Sequence, residues 1–360
     1  MNSRKLLRHR SAAVFLACVA VSFTTVSFAS AQTTPKTKVV KPDFSFYVGK
    51  QLTLITGGAA GAANDEAALI VAPLMASYLH ASINVVDMPA GATVPAQEAI
   101  AASTPNGLTF GQGGPVGDIE SQDVGQNDIN FPLRTQEWIG SFSPPQYVIA
   151  TTPNSGIKTI SQFEKADGGG LKYLSLSGGG SLNEQVFDVV FKQHAQFVTG
   201  YINASAQLTG FLRGDGNASV INAPMSAPFI ADGQMVGIAL TQPYVKGETD
   251  YSVMSKLPVM STYLAKHPPT SKANRTAIKL LNIYNAASDQ DFFAPPKTPE
   301  GEVLALAAAF RSAVNQPGAQ KALIGQGVPN GYDSPAKVAA QVDEMIKVGP
   351  QIAPYLGGSP

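Results

Sequence analysis

Gln51-Leu52-Thr53-Leu54-Ile55-Thr56-Gly57-Gly58-Ala59-Ala60-Gly61-Ala62-Ala63-Asn64-Asp65-Glu66 runs from a buried strand through a turn of small residues into a helix that opens on N-cap chemistry. The same order repeats outward from it. Ile83 to Val86 reads as a second strand, Pro95 to Ala102 as a second helix, Thr104-Pro105-Asn106-Gly107 as a turn and Leu108 to Gly111 as a third strand. Strands alternating with helices predict a parallel sheet covered by helices. Pro73 lies inside the first helix and is expected to bend or end it nearby.

The pattern restarts after Pro153 with a helix at Ile160 to Lys165, a strand at Tyr173 to Ser177, the glycine turn Gly178-Gly179-Gly180 and a helix at Asn183 to Phe191. A strand near Phe197 to Thr199, a helix at Ser205 to Arg213 and strands at Ala218 to Ile221 and Val236 to Leu240 follow. Two α/β lobes are therefore expected. From Ser271 onward the chain reads as mainly helical, and these helices are expected to return over the first lobe. Thr298-Pro299-Glu300 and Ser334-Pro335 each set a capping hydroxyl before a Pro at the first helical position. No short period repeats, which argues against solenoids and propellers.

At the start of the chain Arg4, Lys5, Arg8 and Arg10 precede an apolar run from Ala12 to Val21, and Ala29-Ser30-Ala31 supplies a small-x-small cleavage pattern. Residues 1-31 thus read as a secretory signal peptide with Gln32 as the first mature residue, and the expected compartment is the periplasm. Residues 32-43, polar and without apolar periodicity, read as a flexible leader. The signal core is shorter than the ~20 apolar residues of a membrane span. Cys18, the only cysteine, lies inside it, so the mature chain has no disulfide, thiolate metal site or cysteine nucleophile. Phe15 stands where a lipid-attachment box prefers Leu, so Cys18 reads as a discarded apolar residue. Removing the four basic residues leaves 21 Lys+Arg against 25 Asp+Glu, which gives no basic surface for nucleic acid.

The turn from Gly57 to Ala63 has side chains so small that backbone N–H groups can approach a ligand at a helix N-terminus, a setting that favours anions. Gly58, Ala59, Ala60, Gly61, Ala62 and Asp65 are the candidates there, and a close-packed turn without ligand is the competing reading. The chain has no G-x-G-x-x-G and no Gly-Lys-Ser/Thr, and Asp65-Glu66 would repel a pyrophosphate. Ser177-Gly178-Gly179-Gly180-Ser181 repeats the device in the second lobe, where the Ser177 and Ser181 hydroxyls can donate to a carboxylate. With Gly179 and Gly180 we group Asn183, Tyr201 and Asn222 from that lobe, and Gly113 and Gly114 from the first. Ligands in open α/β sheets sit at the carboxyl ends of strands, where both turns fall if the lobes face each other. Neither turn offers Lys or Arg, so a carboxylate bridging them is expected to be held by N–H and hydroxyl groups. With no histidine involved, affinity is expected to change little between about pH 6 and 9.

Catalytic arrangements are thin by comparison. His80, His194 and His267 are too far apart in sequence for metal spacing and read as surface or capping residues, and no G-x-S-x-G elbow occurs. Glu66, Asp118 and Glu120 read as solvated charges, and Trp138, beside Ile139, as core. No cofactor and no metal is expected.

These motifs, in this order, resemble the Bug-type substrate-binding receptors of tripartite tricarboxylate transporters, over about Phe44 to Gly349. Phe46-Tyr47-Val48-Gly49-Lys50 with Leu52 to Ile55 looks like the family opening, and the glycine turn with Asp65 like its small-residue loop ending in Asp. Met88-Pro89-Ala90-Gly91-Ala92, Thr104 to Thr109, Trp138-Ile139-Gly140-Ser141, Ser155 to Ile160 and Thr199-Gly200-Tyr201 are similar to its later loops. The family has more glycine at Ala62 and Ala63, and an arginine near Leu69. The resemblance implies an α/β type II periplasmic-binding-protein fold, two lobes joined by two crossover strands with a ligand cleft between. We divide the chain into lobe I at 44-148 and 244-360 and lobe II at 149-243, with crossovers near Val148 to Thr151 and Ile238 to Gln242. It also implies a non-enzymatic, monomeric receptor that hands a small organic carboxylate or dicarboxylate to membrane permease subunits. A binding protein feeding a membrane sensor kinase and a two-lobed α/β hydrolase are the alternatives.

Overall fold

Leu52 and Leu54 have no exposed surface and Ile55 and Thr56 are buried behind them, so the first strand is anchored on both faces. In the computed structural model, which describes residues 40–355 except 59, 90–92, 124–130, 168–169, 177–181, 202 and 330, this strand is β1 (Gln51–Thr56). The expected signal peptide and Cys18 lie outside the described residues. The other strands are β2 (Ser82–Asp87), β3 (Thr109–Gly113), β4 (Glu137–Phe142), β5 (Tyr147–Thr151), β6 (Lys172–Leu176), β7 (Gln196–Tyr201), β8 (Ala218–Asn222), β9 (Val236–Leu240), β10 (Asp291–Ala294) and β11 (Tyr332–Asp333). They form two sheets, one in the order β11-β4-β10-β3-β1-β2 and one in the order β7-β6-β8-β5-β9.

The expected parallel alternation is confined to one side of each sheet, β3-β1-β2 in the first and β7-β6-β8 in the second. β1 pairs in parallel with β2 and β3, and β6 with β7 and β8. Both sheets are nevertheless mixed, because β10 runs antiparallel to β3 and β4, β11 antiparallel to β4, and β5 antiparallel to β8 and β9. β10 and β11 interrupt the region expected to be mainly helical. Asp291-Phe292-Phe293-Ala294 is too short for its period to show and is followed by Pro295-Pro296. It becomes a strand by filling the slot between β3 and β4, where Phe292 and Phe293 are fully enclosed.

Three local expectations change. The first helix starts after Ala62 without a side-chain cap, so Asn64 and Asp65 lie within its first turn instead of capping it. The helix Ala63–Leu79 continues through Pro73. The carbonyl that Pro73 leaves without an N–H belongs to Leu69, and both residues are exposed, so water can serve it. Thr298 does not cap the helix Glu300–Val314, because its hydroxyl donates to the Pro295 carbonyl at 2.8 Å. Ser334 does cap Pro335–Ile352, accepting from the Lys337 N–H.

Behind the first sheet, Phe142, Phe292 and Phe310 pack edge-on and tilted, together with the inner faces of the helices Ala63–Leu79 and Glu300–Val314. A second core joins the two sheets. It takes Ile55 and Trp138 from one sheet and Ile100 from the helix Val94–Ala101, Ile149 and Tyr173 from the other sheet and Phe187 from the helix Leu182–Phe191, and Leu281 and Val342 from the helices Lys272–Asn285 and Pro335–Ile352.

Candidate ligand cleft

The carboxyl ends of β1, β2 and β3 lie along one edge of the first sheet, as their parallel register requires. At the end of β1, Gly58 is buried and its N–H donates to Thr56 Oγ1 at 3.2 Å. A Cβ there would lie 2.7 Å from the Asp65 backbone nitrogen, so the close approach of turn and helix start needs glycine. Gly61 has φ +78°, and its N–H donates to Asp65 Oδ2 at 2.8 Å. Asp65 therefore folds back onto the turn and occupies one of the N–H groups the sequence offered to a ligand. Ala60 is exposed, Ala62 is the extended residue before the helix, and Ala59 lies outside the described residues. Beside this turn, burial first and the Asp65 charge second raise the Asp87 pKa.

Gly113 ends β3 and Gly114 follows it, both against other packing. A Cβ on Gly113 would meet Gln97 Oε1 at 2.3 Å, and one on Gly114 would meet Asp289 Oδ1 at 3.0 Å. Asp289 covers the N-terminus of the helix Pro115–Asp123, accepting from the Gly117 N–H at 3.2 Å. Around it gather Asp118, from the same helix, and Asp291, the first residue of β10, both almost fully buried. Burial pushes Asp118 up to about 8 and Asp289, which keeps some solvent contact, to about 6. Asp291 is raised well above the usual carboxylate range by burial and by Asp289, Asp333 and Asp118. The reading of Asp118 as a solvated charge is thereby corrected: packing of β10 against β3 encloses it. Glu66 is half-buried in the first turn of its helix, and the Glu120 side chain is outside the description.

On the second sheet, Ser177, Gly179, Gly180 and Ser181 are outside the described residues. The helix they precede, Leu182–Phe191, is held by a buried carboxylate: Glu184 accepts from the Val220 N–H at 2.7 Å and from the Ser175 and Ser219 hydroxyls. Asn183 exchanges two amide hydrogen bonds with Asn285, at 2.9 and 2.8 Å. Asn222 caps the helix Ala223–Ala231 through the Met225 N–H and donates across to the Gly327 carbonyl at 2.8 Å. The Tyr201 hydroxyl donates to Asp215 at 2.7 Å, and its ring fills the space a Cβ on Gly210 would need. Asp215, held by Arg213 first and by Tyr201, has its pKa lowered to about 2.

Two residues passed over in the sequence stand at the same edge. Gln146 precedes β5 and Gln242 follows β9, and each has a buried side-chain Nε2 with no hydrogen-bond partner among the described residues. A buried amide N–H without an acceptor is costly, so such a donor suits an anion. Glutamine is too common for the sequence alone to have signalled it.

The histidines stand apart: His80 is an exposed helix end, His194 faces Asp167 at 3.2 Å, and the His267 ring lies on Tyr263. Among the described residues no cluster of three metal-ligating groups occurs, and no helix is long and apolar enough to cross a membrane.

No protein-family model matches the chain, and no curated protein sequence does. Solved structures match over nearly the full fold. MatC from Rhodopseudomonas palustris with bound malate is 16% identical with a TM-score of 0.61, covering 84% of this chain and 99% of that one. The periplasmic binding protein BugD is 14% identical with a TM-score of 0.63, covering 86% and 99%. A Rhodopseudomonas palustris protein with adipate is 17% identical with a TM-score of 0.63, covering 86% and 97%. At these identities the likeness is one of architecture, and the chain has the two-lobed α/β fold of the type II periplasmic binding proteins.

Proposed function

We propose that this protein is an extracytoplasmic solute-binding protein that captures a small organic carboxylate between two lobes, 44-148 with 244-360 and 149-243, and passes it to the permease of a tripartite tricarboxylate-type transporter. The observation that carries the reading is the likeness in fold, over 84% and 86% of this chain, to binding proteins whose structures hold malate and adipate. The polar groups at the sheet edges support it. Gln146 and Gln242 supply amide donors without a cation, and glycine turns lead into helix N-termini. The surface placement of the histidines supports binding without catalysis.

Mass spectrometry of small molecules released from freshly purified protein is expected to show an organic acid, recovered unaltered after incubation. Calorimetric titration with malate and adipate should give at least micromolar affinity for one acid, about 8 kcal/mol, and far weaker binding of its diamide. Equal affinity for acid and amide, or chemical conversion of the acid, would falsify the proposal.

A further inference from the structure

Three buried oxygens of the first sheet's carboxyl edge have no hydrogen-bond partner among the described residues: Gln97 Oε1, Asp118 Oδ2 and Asp291 Oδ1. The three residues are 1%, 3% and 1% exposed. They come from three elements, the helices Val94–Ala101 and Pro115–Asp123 and β10, and close on one another. Gln97 lies against Asp118 and spends its amide donor on Thr93 Oγ1 at 3.0 Å, while Asp289 and Asp333 act electrostatically on Asp291. Gln97 is not acidic, so its unfilled acceptor is a separate sign that a donor belongs there. Three acceptors cannot stay bare in such a place with both carboxyls ionised, because an unpaired buried charge is strongly disfavoured.

The surroundings supply little positive charge. Lys337, on the helix Pro335–Ile352, is spent on Asp333 at 2.8 Å, and Gln341 of the same helix reaches Asp333 as well. Ser141 of β4 lies against Asp291 while its hydroxyl donates to the Gln290 carbonyl at 2.8 Å, Ser288 meets Asp333, and the charges acting on Asp291 are those of Asp289, Asp333 and Asp118. Asp65 and Asp87 form a separate acidic pair at the turn after β1. Protons on the carboxyls remain as the donors. Asp289 connects this group to the proposed cleft, because its Oδ1 would lie 3.0 Å from a Cβ on Gly114.

We infer that Asp118, Asp289 and Asp291 form a proton site coupled to the cleft, so that an arriving ligand carboxylate drives proton uptake and alkali weakens capture. The coupling rests on the function proposed above. Its physical basis is like-charge repulsion: an anion at the Gly114 edge disfavours the ionised form of each buried acid. The raised pKa values of Asp118 and Asp289 put the titration in the neutral range. This replaces the expectation of a flat profile between about pH 6 and 9, which considered only histidine.

The test has two arms. In protein labelled with 13C at aspartate carboxyls, titrated without ligand, at least one resonance assigned through Asp118→Asn and Asp291→Asn is expected to titrate above about pH 6; if all three acids titrate near 4, the ordinary value, the site does not exist. In the second arm adipate is titrated calorimetrically at several pH values in buffers of different ionisation enthalpy. Proton uptake is expected, with affinity falling by up to about tenfold per pH unit for one coupled proton, and Asp118→Asn should reduce both. Asp343→Asn, in the exposed pair with Arg134, should leave both unchanged. Adipate binding without proton uptake overturns the coupling. If adipate and malate both fail to bind, the coupling falls together with the cleft reading, while the carboxyl resonances still decide on the proton site. Stabilisation by sodium or calcium, with no acid titrating near neutrality, would put a cation where we place protons.

Discussion

At Gly111 a Cβ would lie 2.3 Å from Ile100 Cδ1 and 2.4 Å from the Ile55 carbonyl oxygen. The second neighbour is backbone of the adjoining strand and cannot turn aside. Gly111→Ala is therefore expected to destabilise the protein by about 1–3 kcal/mol through overpacking. Gly117→Ala meets nothing within 4 Å and lies in a helix, so it should be neutral or stabilising by up to about 1 kcal/mol. Urea unfolding of the two variants separates these outcomes, and equal losses would mean that space is not the determinant. Glu184→Gln turns an acceptor that serves Val220 N–H and two serine hydroxyls into a side chain with one acceptor oxygen. A loss of about 1–3 kcal/mol is expected in the same measurement, and wild-type stability would show that the buried carboxylate is not what seats the helix. Gly111 was legible as a strand residue, but its need to be glycine comes from Ile55 and Ile100 on two other elements.

Among the elements, the turn from β8 into the helix Ala223–Ala231 has a double function concentrated in Asn222, whose Oδ1 caps the helix while its Nδ2 reaches Gly327. Asn222→Ser keeps a capping oxygen and loses the reach to Gly327, whereas Asn222→Ala loses both. Thermal unfolding should rank wild type above Ser and Ser above Ala, with the cap alone worth about 1 kcal/mol. Identical losses would assign the whole effect to the Gly327 contact. Most elements were readable because their signals are local. β1 and β9 match their expected limits, and β2, β6 and β8 differ by one residue at one or both ends. The partner of Asn222 was not readable, because Gly327 lies 105 positions away and nothing in either local pattern marks the pair.

For the whole molecule, the buried acids set how stability responds to pH. Asp118 and Asp289 hold their protons more tightly in the folded chain than in the unfolded one, where the ordinary value is 3.8. Their stabilising contribution is complete below about pH 4 and is lost as pH rises through about 6 for Asp289 and about 8 for Asp118. The limiting slope is about 1.4 kcal/mol per pH unit for each proton. Asp215, with its pKa lowered to about 2, acts in the opposite direction and only below 3.8. Stability measured by denaturant between pH 5 and 8.5 is therefore expected to fall with rising pH, and Asp118→Asn should flatten the upper part of the curve. A wild-type curve flat from 6 to 8 would contradict the burial of Asp118 as a titrating group. By itself the sequence determined the alternation of strands and helices, the two lobes and the turns at strand ends, since apolar periodicity and Gly or Pro punctuation act within a few residues. Only the tertiary structure decided that β10 slides between β3 and β4 and carries Asp289 to the Gly117 N–H, 172 positions away. Strand pairing over that distance depends on which slot the packed sheet leaves open, and the proton affinity of an acid depends on the water that packing removes from around it.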